Sequence, residues 1–79
     1  MALTVYSKDR CVQCDATKRF LKINEIEHAV EDATAEENLV FLKELGYTQV
    51  PVTVISEGDE IVNHWYGYNI DELNKLKAA

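Results

Sequence analysis

The sequence lacks the features that would direct it to a membrane, a nucleic acid or a disulfide-stapled scaffold. No stretch has the length and apolar purity of a transmembrane span. No run of basic residues occurs, and 14 acidic residues against 8 basic ones oppose binding to nucleic acid or anionic lipid. Only two cysteines are present, so a framework of several bridges is excluded.

The first residues also lack the pattern of a secretory leader, which joins a basic segment, an apolar stretch and a small-residue cleavage site. We therefore expect a cytoplasmic protein, and in that reducing compartment a close pair of cysteines is more often catalytic than structural. No repeat, linker or low-complexity tract divides the chain. Its 79 residues, 47% of them hydrophobic, suffice for one packed core, so we expect a single domain over residues 1–79.

Both cysteines belong to one C-x-x-C unit, formed by Cys11 and Cys14. The β-prone residues 3–6 precede it, and apolar residues at helical spacing follow it through Ile23. This pattern predicts a strand that leads to the N-terminus of a helix, with Cys11 at that terminus. Two thiols at this spacing can open and close reversibly as a disulfide.

The two cysteines are expected to have different roles. Unpaired N–H groups and the positive end of the helix dipole favour a thiolate at Cys11, which is therefore the predicted nucleophile. Lys8 and Arg10 add positive charge nearby, and thiol pKa values in such motifs range from about 3.5 to 7.5. Cys14 follows one helical turn later on the same face, so we expect it to be more buried and to act as the resolving thiol.

The remaining residues predict three more strands and two more helices. In chain order these are a weak strand over residues 25–32, a helix over 34–45, strands over 51–55 and 61–65, and a helix from residue 69. Thr34 to Glu37 and Asn69 to Glu72 each have the form of a capping box. Gly46 is suited to end the middle helix, and a proline is tolerated as the first residue of a strand.

The order β-α-β-α-β-β-α predicts an α/β fold with a four-stranded mixed sheet flanked by three helices. The first crossover makes one parallel pair, and the terminal hairpin adds two antiparallel strands. With its cysteines where the first strand meets its helix, the arrangement resembles a small thioredoxin fold. That fold keeps a cis-proline beside the cysteines, so we expect Pro51 to be cis and Val50 to offer its backbone to an extended partner segment.

Three segments resemble signatures of the NrdH-redoxins, and together they span nearly the whole chain. They are residues 11–18, which contain Cys-Val-Gln-Cys, residues 45–52 and residues 64–68. The resemblance implies a thiol-disulfide oxidoreductase that carries electrons from thioredoxin reductase to the large subunit of class Ib ribonucleotide reductase, with little use of glutathione. It implies no bound cofactor, since NADPH and FAD belong to the partner reductase, and we expect a monomer.

The residues expected to bind the partner surround the cysteines and the proline. They are Lys8, Val12, Gln13, Val50, Pro51, Trp65, Gly67 and Tyr68. Trp65 and Tyr68 fit either core packing or partner docking. Tyr66, Tyr68 and the pair Asn69-Ile70 depart from the family's serine, phenylalanine and Arg-Pro, which bears on reductase docking and on the exclusion of glutathione.

Two other functions stay open. A glutathione-dependent glutaredoxin would hold the tripeptide near Lys8, Val50 and Asp71. A redox-sensing or metal-carrying module would bind without turnover, most simply as a dimer that bridges a metal through Cys11 of each subunit.

A zinc site within one chain needs four ligands. His28 and His64 fall on predicted strands away from the motif, where we expect them to face solvent. The two cysteines therefore lack the ligands that would complete such a site.

Overall fold

Seven elements follow one another in the order that the sequence predicts. The structure, a computed structural model, describes residues 1–77. The elements are β1 (Ala2–Ser7), α1 (Val12–Ile23), β2 (Ala29–Asp32), α2 (Glu36–Leu45), β3 (Val52–Glu57), β4 (Glu60–Tyr66) and α3 (Ile70–Lys77). Over residues 1–77, no helix is long and apolar enough to cross a membrane.

The four strands form one mixed sheet in the order β2-β1-β3-β4. β1 pairs with β2 in parallel, as a strand-helix-strand crossover requires, and β3 pairs antiparallel with both β1 and β4. This is the predicted topology. It places β1 at the centre of the sheet, so the loop that leaves its C-terminal end carries the cysteine motif onto α1.

Side chains alternate across the central strands and create one apolar cluster on each face of the sheet. The first cluster joins the sheet to α1 and α3 and contains Leu3, Val5, Leu21, Ile55, Trp65 and Leu73. The second joins the sheet to α2 and contains Ala33, Leu42, Val52 and Val54. Helices therefore cover both faces of the sheet.

The second strand is shorter than the predicted range of 25–32. α1 ends in a Schellman motif, in which the Ile26 N–H bonds the Leu21 carbonyl at 2.9 Å and the Glu25 N–H bonds the Lys22 carbonyl at 3.2 Å. Glu25 has a left-handed φ of 54°, and Ile26 packs against the first apolar cluster. Glu25 and Ile26 therefore complete the end of α1 instead of joining the strand, and only Ala29–Asp32 pairs with β1.

The capping box predicted at Thr34 to Glu37 is wrong. α2 begins at Glu36, two residues after the predicted start at Thr34, and its N-cap Ala35 makes no side-chain bond. The Thr34 N–H and hydroxyl instead both donate to a carboxylate oxygen of Asp32, at 2.8 and 2.6 Å. Asn38 then donates to the Asp32 carbonyl at 2.8 Å. The acidic residue at the end of β2 outcompetes the helix for the threonine side chain.

The other predicted helix boundaries are confirmed. Gly46 ends α2 with a left-handed φ of 98°, and the Tyr47 N–H bonds the Leu42 carbonyl at 2.9 Å. Asn69 caps α3 by accepting the Glu72 N–H at 3.1 Å. The Glu72 carboxylate does not return to Asn69, because Lys75 and Asn63 bind it and lower its pKa.

The Asp32 turn makes a prediction about acid titration. The hydrogen bond from the Thr34 hydroxyl, followed by that from its N–H, lowers the pKa of Asp32 below 3.8. A carboxyl with a depressed folded pKa stabilises the fold above its ordinary pKa and loses that contribution as pH falls through the folded value. We expect Thr34→Val to raise the pKa of Asp32 only part of the way back, because the N–H remains.

The measurement is an NMR titration of the Asp32 carboxyl carbon. Thr48→Val is the matched control, since Thr48 makes no contact with Asp32 among the hydrogen bonds of residues 1–77 and should leave the titration where it is. An unchanged Asp32 pKa in Thr34→Val would mean that the hydroxyl contributes nothing.

Candidate active site

The cysteine motif sits where the sequence predicts, at the junction of β1 and α1. Arg10 adopts a left-handed φ of 57°, which turns the loop so that Cys11 becomes the N-cap of α1. Cys11 and Cys14 form a disulfide, with their Cα atoms 5.2 Å apart. Cys11 is half-buried and Cys14 is fully buried, so the predicted difference in exposure is confirmed.

The surroundings of Cys11 favour negative charge on its sulfur. Its Sγ accepts the Cys14 N–H at 3.1 Å, so the sulfur itself caps the first turn of α1. A thiolate at that position is stabilised by this hydrogen bond and by the helix dipole. Lys8 is exposed on the loop before the motif, and Lys18 pairs with Asp15 at 3.8 Å.

Val50 and Pro51, which we call the proline wall, lie beside the sulfur of Cys11 as the sequence predicts. The Val50–Pro51 peptide bond is cis, as expected from the sequence. The Val50 carbonyl oxygen lies 3.9 Å from Cys11 Sγ, and Pro51 is buried. The Gly67 N–H donates to the Pro51 carbonyl at 2.8 Å, which ties the segment after β4 to the same wall. The structure therefore brings together four of the predicted site residues.

Gln13 lies on the first turn of α1 between the two cysteines and reaches across to the segment after β4. Its Oε1 accepts the Tyr68 N–H at 3.0 Å. Val12 beside it is 85% exposed, and Tyr68 is 40% exposed. Val12 and Tyr68 form an open surface next to the disulfide, which we call the apolar rim.

Trp65 does not belong to that rim, and its predicted docking role is corrected. The residue is only 6% exposed and packs in the core cluster beneath α1 and α3. It pairs with Thr53 across the sheet, so strand alternation turns it toward the same face as Leu21. Of the two roles left open by the sequence, core packing is the one the structure assigns.

The opposite face of β4 carries two contacts that the sequence analysis missed. The Tyr66 hydroxyl donates to Gln49 Oε1 at 3.0 Å, and the Tyr47 hydroxyl bonds His64 Nδ1 at 2.7 Å. His64 is therefore half-buried against a tyrosine ring rather than facing solvent as expected. The two bonds pin the loop before Val50 to β4. The available signal in the sequence was that hydrogen-bonding side chains occur at alternate positions in both segments, at residues 47 and 49 and at residues 64 and 66.

His28 also departs from the expected position. It lies just before β2, is half-buried, and its ring nitrogen Nδ1 bonds the Ile26 carbonyl at 2.8 Å. Within residues 1–77, no group of three or more His, Cys, Asp or Glu side chains is arranged to hold a metal ion.

Lys8 borders a groove of about 400 Å³ that reaches Val50 beside the disulfide. Its other lining residues are Ala33, Thr34, Leu39, Thr48 and Gln49. The groove lies within the size range of small-ligand sites, about 300 to 1,000 Å³. It could receive a peptide segment that approaches the sulfur of Cys11.

Comparison with known sequences finds relatives along the whole chain. The glutaredoxin family profile matches residues 3–61. The glutaredoxin-like protein NrdH of Escherichia coli strain K12 is 32% identical over an 87-residue alignment that covers 100% of this chain and 93% of the relative. NrdH of Salmonella typhimurium is 29% identical, covering 96% of this chain and 89% of the relative.

Solved structures agree in fold. The NrdH-redoxin of Escherichia coli, described as a glutaredoxin-like protein with a thioredoxin-like activity profile, superposes with a TM-score of 0.81. It is 31% identical, with 96% of this chain and 95% of that one covered. A glutaredoxin of Archaeoglobus fulgidus gives a TM-score of 0.71 at 28% identity, covering 100% of this chain and 89% of that one.

Proposed function

The chain belongs to the glutaredoxin family and, within it, to the NrdH-redoxins, and from that premise we propose that it carries electrons from thioredoxin reductase to the large subunit of class Ib ribonucleotide reductase. It is a thiol-disulfide oxidoreductase. The observation that carries the proposal is the Cys11–Cys14 disulfide, with one sulfur half-exposed at a helix N-terminus and the other fully buried.

The reaction proceeds by two thiol-disulfide exchanges. The Cys11 thiolate attacks one sulfur of the partner's disulfide, forming a mixed disulfide and releasing the partner's other sulfur as a thiolate. Cys14 loses its proton and attacks Cys11 Sγ, which releases the partner's second thiolate and leaves the Cys11–Cys14 disulfide. The partner gains two electrons and, at neutral pH, takes up two protons. The reverse exchanges return the chain to its dithiol: a thiolate of the reduced reductase attacks Cys11 Sγ and releases Cys14, and the reductase's second thiol then attacks its own sulfur, which releases Cys11 and leaves the reductase oxidised.

No bound cofactor of the chain itself takes part in this proposal, because NADPH and FAD act in the partner reductase. The proposed site for the nucleophile and resolving thiol is Cys11 and Cys14. We place the reaction in the cytoplasm and propose that the chain acts as a monomer.

The surface around the disulfide favours a protein as the reductant. Val12 and Tyr68 on the apolar rim are 85% and 40% exposed, and aromatic side chains are enriched where proteins dock. The chain carries a net charge of −6, which opposes the two carboxylates of glutathione. A protein partner can bury the apolar rim and so gain apolar contact that a tripeptide is too small to make.

A glutathione-dependent glutaredoxin reaction is the second candidate. The observation in its favour is the groove lined by Lys8 and Val50, because it is large enough for a small ligand, has a cation in its lining and reaches the residue whose carbonyl lies beside Cys11 Sγ. A paired assay separates the two candidates. NADPH consumption is followed with thioredoxin reductase, or with glutathione and its reductase, with insulin as the disulfide acceptor.

We expect thioredoxin reductase to be the faster reductant, and we expect Tyr68→Ala to raise the KM for that reductase about tenfold, as loss of a central aromatic contact does in other interfaces. Val62→Ala is the matched control, since Val62 is 50% exposed on β4 but makes no part of the site. Faster reduction by glutathione would establish the glutaredoxin candidate instead.

A further inference from the structure

We propose that Gln13 is a positioning residue, which holds the segment Gly67–Tyr68 in place beside the disulfide so that a partner meets a preformed surface. The consequence for turnover depends on the proposed disulfide exchange with proteins. The positioning itself depends only on the contacts within this chain.

Gln13 connects the cysteine motif to the segment after β4, which also contacts the proline wall beside Cys11. Its Oε1 accepts the Tyr68 N–H at 3.0 Å. The Gly67 N–H donates to the Pro51 carbonyl at 2.8 Å, and the Val50 carbonyl lies 3.9 Å from Cys11 Sγ. The motif, the proline wall and the segment after β4 are far apart in the chain, and the glutamine side chain supplies the link between the first and the last.

Gly67 leaves room for the Gln13 side chain because it has no Cβ atom. A Cβ atom at residue 67 would lie 3.0 Å from Gln13 Oε1, closer than nine in ten such contacts, so a side chain there would require the amide to shift by a few tenths of an ångström. The residue also has a left-handed φ of 83°, which glycine adopts without a steric penalty. The absence of a side chain at this position therefore allows both the turn after β4 and the approach of the glutamine.

The hydrogen bond between Gln13 and the Tyr68 N–H should act mainly on the binding of a partner. An irregular segment loses conformational freedom when a partner docks on it, and a contact that already orders the segment reduces that cost. Tyr68 is the residue of this segment that belongs to the apolar rim, whereas the sulfur of Cys11 is held separately by the Cys14 N–H. Loss of the Gln13 bond should therefore weaken partner binding more than it slows sulfur exchange.

The experiment compares Gln13→Met, which keeps the length of the side chain and removes the acceptor, with Gln13→Glu, which keeps an acceptor. Exchange of the Tyr68 amide hydrogen is measured by NMR. We expect it to accelerate about tenfold in Gln13→Met, the effect of one lost hydrogen bond, and to stay within about twofold of the parent in Gln13→Glu. Gln49→Met is the matched control, because Gln49 bonds Tyr66 instead and should leave Tyr68 exchange unchanged.

The functional readout is a single turnover of protein reduced beforehand with dithiothreitol, with insulin as the acceptor over a range of concentrations. In Gln13→Met the half-saturating insulin concentration should rise about fivefold, by more than the limiting rate falls.

Unchanged Tyr68 exchange in Gln13→Met would overturn the proposal. So would a fall in the limiting rate with an unchanged half-saturating concentration, because the glutamine would then act on the chemistry. Neither result depends on any reductase, so a failure of recycling by thioredoxin reductase would contradict the proposed function and leave this test intact.

Discussion

Cys11→Ser is expected to abolish disulfide reduction, lowering the rate by roughly three orders of magnitude or more, as loss of a nucleophile does in other enzymes. Serine is among the preferred N-cap residues, so its hydroxyl can accept the Cys14 N–H in place of the sulfur and the helix should still begin at Val12. The loss would then report on chemistry rather than on folding. The measurement is insulin reduction with thioredoxin reductase and NADPH, with a circular dichroism spectrum of each variant.

Cys14→Ser is the companion variant and should fail at a later step. It retains the nucleophile but lacks the resolving thiol, so a mixed disulfide with the partner should accumulate and be visible by mass spectrometry. The order of alkylation tests the assignment independently, because Cys14 is fully buried and Cys11 is not. If Cys14 is the thiol that reacts first with iodoacetamide at neutral pH, the two roles are reversed.

Trp65→Ala is expected to produce the largest loss of stability of any substitution considered for this chain. The indole is 6% exposed within the core cluster under α1 and α3, and removing a buried tryptophan costs about 3 to 5 kcal/mol. A domain of this length has a total stability of roughly 4 to 12 kcal/mol. Urea unfolding of the variant should therefore show a midpoint far below that of the parent.

Trp65→Phe is the matched control for packing. The indole N–H finds no partner among residues 1–77, so phenylalanine keeps most of the apolar contact and removes a buried donor that is not satisfied. We expect it to lose far less stability than alanine, and Val12→Ala on the exposed rim to change stability by no more than about 0.5 kcal/mol. A loss below about 1 kcal/mol in Trp65→Ala would contradict the core assignment.

The topology could be predicted from sequence because its signals are local and strong. The apolar residues before Cys11, the helical spacing after it and the glycine at residue 46 each favour one structure, and the element order then leaves few connections. Boundaries were less certain where two local structures compete for the same residues. Residues 25–28 resemble a strand in composition, but they complete the turn that ends α1. Thr34 resembles a helix cap, but Asp32 binds it first.

The site was predictable to the extent that it depends on the motif and the proline. Cys11, Cys14 and Pro51 lie together as expected, since the position of each is set by an element boundary. Whether Trp65 is buried or exposed depends on which face of β4 it occupies, and the register between β4 and β3 decides that face. The Tyr66–Gln49 contact joins residues 17 positions apart. The sequence shows hydrogen-bonding groups on alternating residues of both segments, but only the folded chain shows which of those groups meet.

The two outer strands of the sheet differ in how they discourage other chains from adding to them. β2 is only four residues long, all of them exposed, and it ends in Glu31 and Asp32. A second copy that extended the sheet through this edge would gain only a short ladder that ends in two carboxylates. β4 is longer, but its pairing with β3 is interrupted by an irregularity at Ile55 and Ser56, which bends an edge away from a flat partner. Both edges therefore oppose extension of the sheet by a second copy, and the chain can keep an open, reactive surface at its sulfur without offering a long, flat strand edge beside it.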